Sequence, residues 1–399
     1  MTVTVVRVGE LVLTGGAAGD PAAQVAAIGR ALATEAAGLG DLCLLRAFYQ
    51  AEAFDPVALR AALAAALPEG AKVALTLVPV EWAGLGDAGL GDAGLGDDGT
   101  KGGRLSVEAV AVEAVAAVAV EAVAVVGRLH AVVGEGPFVA GLRRGRFVFL
   151  AGQAGAAVGS LAEESRSAML ALGRTLAGLG AGFGDVVRMN RWYHAGGTKE
   201  AWEPSALAVA GFYAEPGPIA TAIPLPVALP DGRSIQIELM GMIGEDGAVL
   251  PKTHSWPVGL WDWPVHLPYK HGLACGGLGF VGGQVSLNRA AEVIDPEHLD
   301  RQVRRSLAFV DLVAAGLGQV KRLLHLGVYY EIPPGGLAGG APGAKEIAAL
   351  GRGAVPAVLA GFANLSYPQM RVEIEAMVEL ADQAVGKGGA GGALSVGRG

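Results

Sequence analysis

Cysteine is nearly absent from this chain. Only Cys43 and Cys275 occur in 399 residues. That excludes a disulfide framework and makes a reducing, cytoplasmic setting the expectation. Long uncharged apolar runs are missing too, although 52% of the residues are hydrophobic. The most apolar stretch, 105–126, is broken by Glu108, Glu113 and Glu121, each costly at a bilayer centre. No membrane partner is expected, and the first residues lack the basic-then-apolar order of an export signal. Basic charge is not concentrated anywhere: 30 Lys and Arg are mixed among 38 Asp and Glu, for a net charge of −8. No stripe is left to hold a phosphate backbone, so nucleic acid is not an expected partner. The seven histidines show no metal-ligand spacing, and no structural metal is expected. The glycine-rich run 178–184 leads into a strand rather than from strand to helix. It is no dinucleotide fingerprint, and no cofactor is expected.

What the chain has in abundance is repetition. Gly145-Arg-Phe-Val-Phe-Leu-Ala-Gly152-Gln153 is matched by Gly276-Gly-Leu-Gly-Phe-Val-Gly-Gly283-Gln284. Gly9-Glu-Leu-Val-Leu-Thr-Gly-Gly16-Ala17 is a weaker version. Each opening is followed by a closing strand, read as Leu105-Ser106-Val-Glu108, Ile235-Gln236-Ile-Glu238 and Val372-Glu373-Ile-Glu375. A period this long marks whole-domain repetition, not a solenoid. The expected units are 1–126, 127–247 and 254–382, with a glycine-rich, disordered tail at 386–399. A low-complexity Gly/Asp loop at 83–103 interrupts the first unit.

Each unit reads as strand pair, helix, strand, helix, strand, strand. In the first, helices are expected at 22–37 and 57–67, the latter entered through Asp55-Pro56. Lys72 then opens a strand reaching residue 80. In the second, helices are expected at 161–178 and within 205–214, with a strand at 186–194. In the third, a helix enters at Asp295-Pro296 and ends near Gly316, and another covers 344–350. The fold class is therefore α+β: one mixed sheet per unit with helices on one face. The bare faces of three sheets would meet in a barrel-like centre, giving a monomer with internal pseudo-threefold symmetry.

Pro268-Tyr269-Lys-His-Gly, the Gly283-Gln284 segment and Val-Glu373-Ile-Glu375, in this order and spacing, resemble the reactive-intermediate deaminase (Rid, or YjgF-like) family. The second unit resembles it through Gly136-Pro137-Phe138, Gly152-Gln153 and Gly184-Asp185. The resemblance implies a chorismate-mutase-like fold, a trimer fused into one chain, and small-molecule clefts between units. It further implies hydrolysis of imines or enamines by a hydrolase of the deaminase type. Its arginine, in a Pro-Ala-Arg motif, is absent: Pro356-Ala357-Val358, Ile219-Ala220-Thr221 and, roughly, Ala71-Lys72 stand there. The family tyrosine matches Tyr269 and is Phe138 in the second unit. The water-positioning glutamate matches Glu373, with Gln236 and Ser106 as counterparts. The chorismatases are a more distant resemblance, through a C-terminal Glu-Ile-Glu.

The expected catalytic pair is Glu373 and Tyr269, with backbone amides near Gly283 binding an oxygen. Arg371, Lys72, Thr221, Gln236 and Phe138 are the further candidates for substrate contact. Glu373 differs from its counterparts, as expected if one cleft alone keeps chemistry. The second glutamate recurs in all three units and reads as architectural. Specialised biosynthesis fits this divergence. A chorismatase-like reaction on a cyclic enol ether and a non-catalytic binding module are the alternatives.

Overall fold

The computed structural model describes residues 3, 5–18, 20–83, 118–156, 159–332 and 355–381. Within them lie three mixed sheets and five α-helices. The first sheet holds Val5–Val8, Leu11–Ala18, Leu42–Gln50, Val73–Val80 and Val118–Val125. The second holds Leu129–Val133, Gly141–Arg144, Phe147–Gln153, Val186–Tyr193, Ile219–Pro224 and Ile235–Met242. The third holds Lys252–Ser255, Gly272–Cys275, Leu278–Val285, Val320–Glu331, Ala357–Phe362 and Val372–Leu380.

The order of pairing is the same three times. A hairpin leads to the closing strand, then to the central strand, then to a parallel partner. The parallel pairs, Arg46 beside Thr76, Asn190 beside Thr221 and Gly327 beside Val358, set the register between sheets. The triplicated glycine motif is a β-bulge. Pairing with the closing strand slips between Thr14 and Ala17, between Leu150 and Gln153, and between Val281 and Gln284. A bulge leaves an extra residue on one strand and bends it.

This register corrects two expectations. The closing strand of the first sheet is Val118–Val125, and Glu121 faces Arg46 as Glu238 faces Asn190 and Glu375 faces Gly327. Ser106 and Glu108 lie outside the described residues, and Ala119 takes the place given to Ser106. The strand position of Val358 and Thr221 falls in the first sheet on Thr76, not on Lys72.

Helices follow their signals with shifted ends. Asp20 caps Pro21–Thr34 and Asp55 caps Pro56–Ala66 through side-chain oxygens on the first free amides. Ser160 and Glu163 form a capping box ahead of Leu161–Gly178. The next helix is Lys199–Ala210, six residues earlier than expected, because Pro204 lies inside it rather than at its start. Leu299–Ala315 begins after His298, while Asp295 stays outside at φ 57° and binds Arg305. The helix expected at 344–350, the tail from 386 and most of the 83–103 loop lie outside the described residues. Trp82–Ala83, at the mouth of that loop, pairs with Ala360 and Gly361 of the third sheet.

Each sheet has a helix-covered face and an inward face. Leu11, Leu44 and Val125 from the first sheet, Phe147 and Met240 from the second, and Phe280 and Met377 from the third form one buried cluster. Next to it Phe48, Trp192 and Tyr329, equivalent residues of the central strands, meet with ring centroids 5.6–6.4 Å apart. The sheets remain three hydrogen-bonded bodies around this core, not one closed barrel.

The recurring glutamates cross the seams between sheets. Arg46 of the first sheet binds its own Glu121 and Glu238 of the second. Arg188 of the second binds Glu375 of the third, which also accepts from Asn190 (2.9 Å), Thr221 (2.6 Å) and Tyr329 (2.7 Å). His325 of the third lies 3.0 Å from Glu121, closing the ring. Burial pushes the Glu121 carboxyl upward, but Arg46 and His325 prevail and hold it at about 2. The Glu375 carboxyl is likewise low, because Arg188, Arg46 and the two hydroxyls outweigh its burial.

Candidate functional site

One cleft opens between the second and third sheets and encloses about 530 Å³ of empty space, mouth included. Three elements of the third sheet build one wall. The strand Val372–Leu380 brings Glu373, the bulge of Leu278–Val285 brings Gly283, and the segment before Gly272–Cys275 brings Tyr269. The second sheet supplies Arg191 from its central strand and Ala220 and Ala222 from its parallel strand. Trp202, Trp261, Trp263 and Tyr367 complete an aromatic lining.

Glu373 is 6% exposed. Burial raises its carboxyl to about 8; the Ala222 amide and Arg191 pull down, and nearby Glu375 pushes up. At neutral pH it is largely a protonated acid. The bulge lets it in: a Cβ on Gly283 would lie 1.9 Å from Glu373 Oε1, so only glycine fits beside the carboxyl. Tyr269 is 1% exposed, and its hydroxyl has no hydrogen-bond partner among the described residues. Burial lifts that phenol above its usual range, so it stays a neutral donor.

The other expected residues lie elsewhere or are already engaged. The Gly283 amide donates to Thr221 Oγ1 at 3.1 Å, so it is not a free donor for substrate. Thr221 in turn donates to Glu375, which uses its hydrogen. Arg371 pairs with Glu331 at 3.4 Å and is not in the lining. Lys72 is at the surface, 2.7 Å from the Gly136 carbonyl. Phe138 is buried on the first sheet beside Val73, under the Arg60 guanidinium.

Gln236 belongs to the neighbouring seam and shows why that seam differs. It holds the position of Glu373, but its amide donates to the Leu77 carbonyl at 2.6 Å. The Gly152 amide there donates to Thr76 at 2.8 Å, repeating the Gly283–Thr221 bond. A neutral amide bonded to a carbonyl replaces the raised acid.

Arg191, Trp202 and Tyr367 were not singled out from the sequence. A signal existed for Arg191. All eight residues of Val186–Tyr193 are buried, and Arg188, Asn190 and Arg191 interrupt what would otherwise be an apolar central strand. Trp261 and Trp263 enclose His271, with ring centroids 4.6 and 5.0 Å away. Burial lowers that imidazole to about 4, and its Nε2 donates to the Trp261 carbonyl at 2.9 Å. His271 is thus a neutral support for the aromatic wall. Cys43 and Cys275 are buried free thiols, raised by burial and unsuited to attack. Among the described residues no cluster of His, Cys, Asp and Glu has the makings of a metal site. No helix among them is long and apolar enough to cross a membrane.

No family model matches the chain, and no curated protein does. Solved structures match it one segment at a time. A Mycobacterium tuberculosis member of the YjgF/YER057c/UK114 family is 19% identical, covering 29% of this chain and 100% of its own, with a TM-score of 0.27. RidA from an Antarctic Psychrobacter is 19% identical over 28% of this chain and 94% of its own, with a TM-score of 0.25. Yeast Mmf1 is 14% identical over 29% and 98%, with a TM-score of 0.26.

Proposed function

We propose that the cleft between the second and third sheets binds a small organic substrate and hydrolyses an imine or enamine in it. Glu373 is the acid and then the base. The observation that carries this reading is a buried carboxyl raised to about 8 in one cleft with an unpartnered tyrosine hydroxyl. Perturbed carboxyls in clefts are candidates for acid–base work near neutral pH. The motif resemblance noted above weights the choice of reaction.

The steps balance with one carboxyl. Protonated Glu373 gives its proton to the enamine carbon, and the product is an iminium. The Glu373 carboxylate then takes a proton from water as the water oxygen bonds to the iminium carbon. In the carbinolamine the proton passes from hydroxyl to nitrogen, the C–N bond breaks, and ammonia leaves a carbonyl product. Tyr269 donates to a substrate oxygen and holds the acceptor carbon near Glu373. Neutral Gln236 has no proton to cycle, so one seam carries the chemistry.

The test is ammonia release from 2-aminoacrylate and from imines made by an amino-acid oxidase. Glu373→Gln is compared with the unchanged chain. Release that depends on Glu373 supports the reading. Release that survives the substitution contradicts it.

A further inference from the structure

The reaction above moves three protons and gives carriers to two. Glu373 delivers one to carbon and takes one from water. The third must pass within the carbinolamine from hydroxyl to nitrogen before ammonia leaves. Transferred directly, it would cross a strained four-membered ring of carbon, oxygen, hydrogen and nitrogen. A second hydroxyl between the two atoms, accepting one proton while giving another, widens that ring to six. A tyrosine both donates and accepts, and serves as an acid–base group. The cleft holds a tyrosine that the reaction leaves unused.

Tyr367 lines the cleft together with Glu373. Its hydroxyl is buried and has no hydrogen-bond partner among the described residues. The rest of the residue is firmly placed. It opens a tight turn, in which the Met370 amide donates to the Tyr367 carbonyl at 3.1 Å. Pro368 is second in that turn and Gln369 third, at φ 67°. This is the pattern of a type II turn, whose third position favours glycine. Glutamine there is strained, and Gln302 fixes its carbonyl with a bond of 3.0 Å. Ser366, one residue earlier, is fastened across the seam to the second unit. Trp202 Nε1 donates to its carbonyl at 2.9 Å, and its Oγ donates to the Ala222 carbonyl at 3.0 Å. Tyr193 Oη lies 3.0 Å from the same Oγ. The Tyr367 ring meets Trp202 edge-on, with centroids 5.8 Å apart.

A loop held this tightly leaves one buried hydroxyl unpaired, which is costly unless a ligand completes it. Burial and the nearby Glu373 push the phenol above its usual range, so it stays neutral. The neighbouring seam lacks both parts. Gln236 stands where the acid would be, and Pro230 precedes it by the same interval that separates Tyr367 from Glu373. We propose that Tyr367 is a further catalytic residue, relaying the proton from the carbinolamine hydroxyl to its nitrogen. The carbinolamine O–H breaks as Tyr367 Oη accepts that proton, and the tyrosine O–H breaks as a new N–H forms. The C–N bond then cleaves, its electron pair leaves with ammonia, and the carbonyl forms with Tyr367 unchanged. This rests on the reading of the cleft as the working site. It divides the two tyrosines, with Tyr269 binding and Tyr367 transferring.

Tyr367→Phe removes the hydroxyl and keeps the ring. Its kcat for ammonia release is expected to fall about a hundredfold, with KM and melting temperature unchanged. Tyr269→Phe is expected to raise KM instead. A single-turnover experiment separates proton relay from packing. With protein in excess over 2-aminoacrylate, loss of the enamine is followed by ultraviolet absorbance and ammonia by a coupled assay. In the unchanged chain the two events are expected to coincide. In Tyr367→Phe the enamine should disappear first and ammonia should lag, because only the last step has lost its carrier. If Tyr367→Phe fails to fold, Trp202→Phe, which loses the bond to the Ser366 carbonyl, should show the same lag in weaker form. A variant that matches the unchanged chain, or that slows both events together, overturns this inference alone as long as turnover still needs Glu373. No turnover by the unchanged chain, or turnover that survives Glu373→Gln, overturns the catalytic reading and this inference with it.

Discussion

Glu373 and Glu375 stand two residues apart on one strand, both buried, and their carboxyls shift in opposite directions. Glu375 is held low by Arg188, Thr221 and Tyr329, while Glu373 is raised to about 8 with no ion pair of its own among the described residues. Two neighbours with one side chain type thus sit in opposite electrostatic environments. Such separation of paired carboxyls is how acid and structural roles are assigned within one strand. Glu373→Gln is expected to keep the fold and to stabilise it at high pH. The sign follows from linkage. The folded carboxyl titrates near 8 and an unfolded one near 4.5. Between those values the unfolded chain has lost a proton that the folded chain keeps, so stability falls as pH rises. The melting temperature of Glu373→Gln should draw ahead of the unchanged chain across that window. Parallel melting curves would contradict the shift.

Turnover should carry the same midpoint. In the proposed reaction, which starts from protonated Glu373, kcat/KM is expected to be flat below about 8 and to fall tenfold per pH unit above it. A profile that rises through that midpoint would assign Glu373 as a base from the start.

Gly283→Ala is the sharpest steric test. The new methyl would lie 1.9 Å from Glu373 Oε1 and 2.7 Å from its carboxyl carbon, so the carboxyl must move. Displacement by an ångström costs on the order of a hundredfold in rate. The expected result is that loss in kcat with the chain still folded. Combined with Glu373→Ala, the same substitution should cost nothing further in stability or rate, a non-additivity that a double-mutant cycle measures.

The seam glutamates should matter to folding rather than to chemistry. Glu375→Ala leaves Arg188 buried and uncompensated, for a loss of about 3–5 kcal/mol in urea unfolding. Glu121 has its folded carboxyl at about 2 against 4.5 unfolded. Its contribution is complete above 4.5 and is lost as pH falls toward 2. The stability gap between the unchanged chain and Glu121→Gln should close through that acid window.

The sequence made the repeat legible because a bulge demands small residues at one place in a hairpin, and three copies of one bulge leave three copies of one motif. It also marked Glu373, Tyr269 and Gly283, which the third sheet gathers from its own strands into one cleft. It misplaced the closing strand of the first sheet. Alternating Val, Ala and Glu between 105 and 126 offers a glutamate at 108 and at 121, and a period of two favours neither. The partner strand decides, through Arg46 opposite Glu121. Lys72 failed for a related reason: the parallel register with Leu42–Gln50, invisible in one dimension, puts Thr76 at the seam. Arg191 was missed because its value comes from the third sheet, whose tyrosine and glutamate lie far along the chain.

The most direct measurement is turnover of 2-aminoacrylate, oxidase-derived imines and chorismate by the unchanged chain and by Glu373→Gln, with ammonia and carbonyl products followed together. The account predicts ammonia and carbonyl product in equal amounts, at a rate that falls by two orders of magnitude or more in Glu373→Gln. Equal turnover by both proteins, or chorismate consumed without ammonia, would contradict it. So would the absence of turnover of all these substrates, which would leave the cleft with no chemistry of this kind.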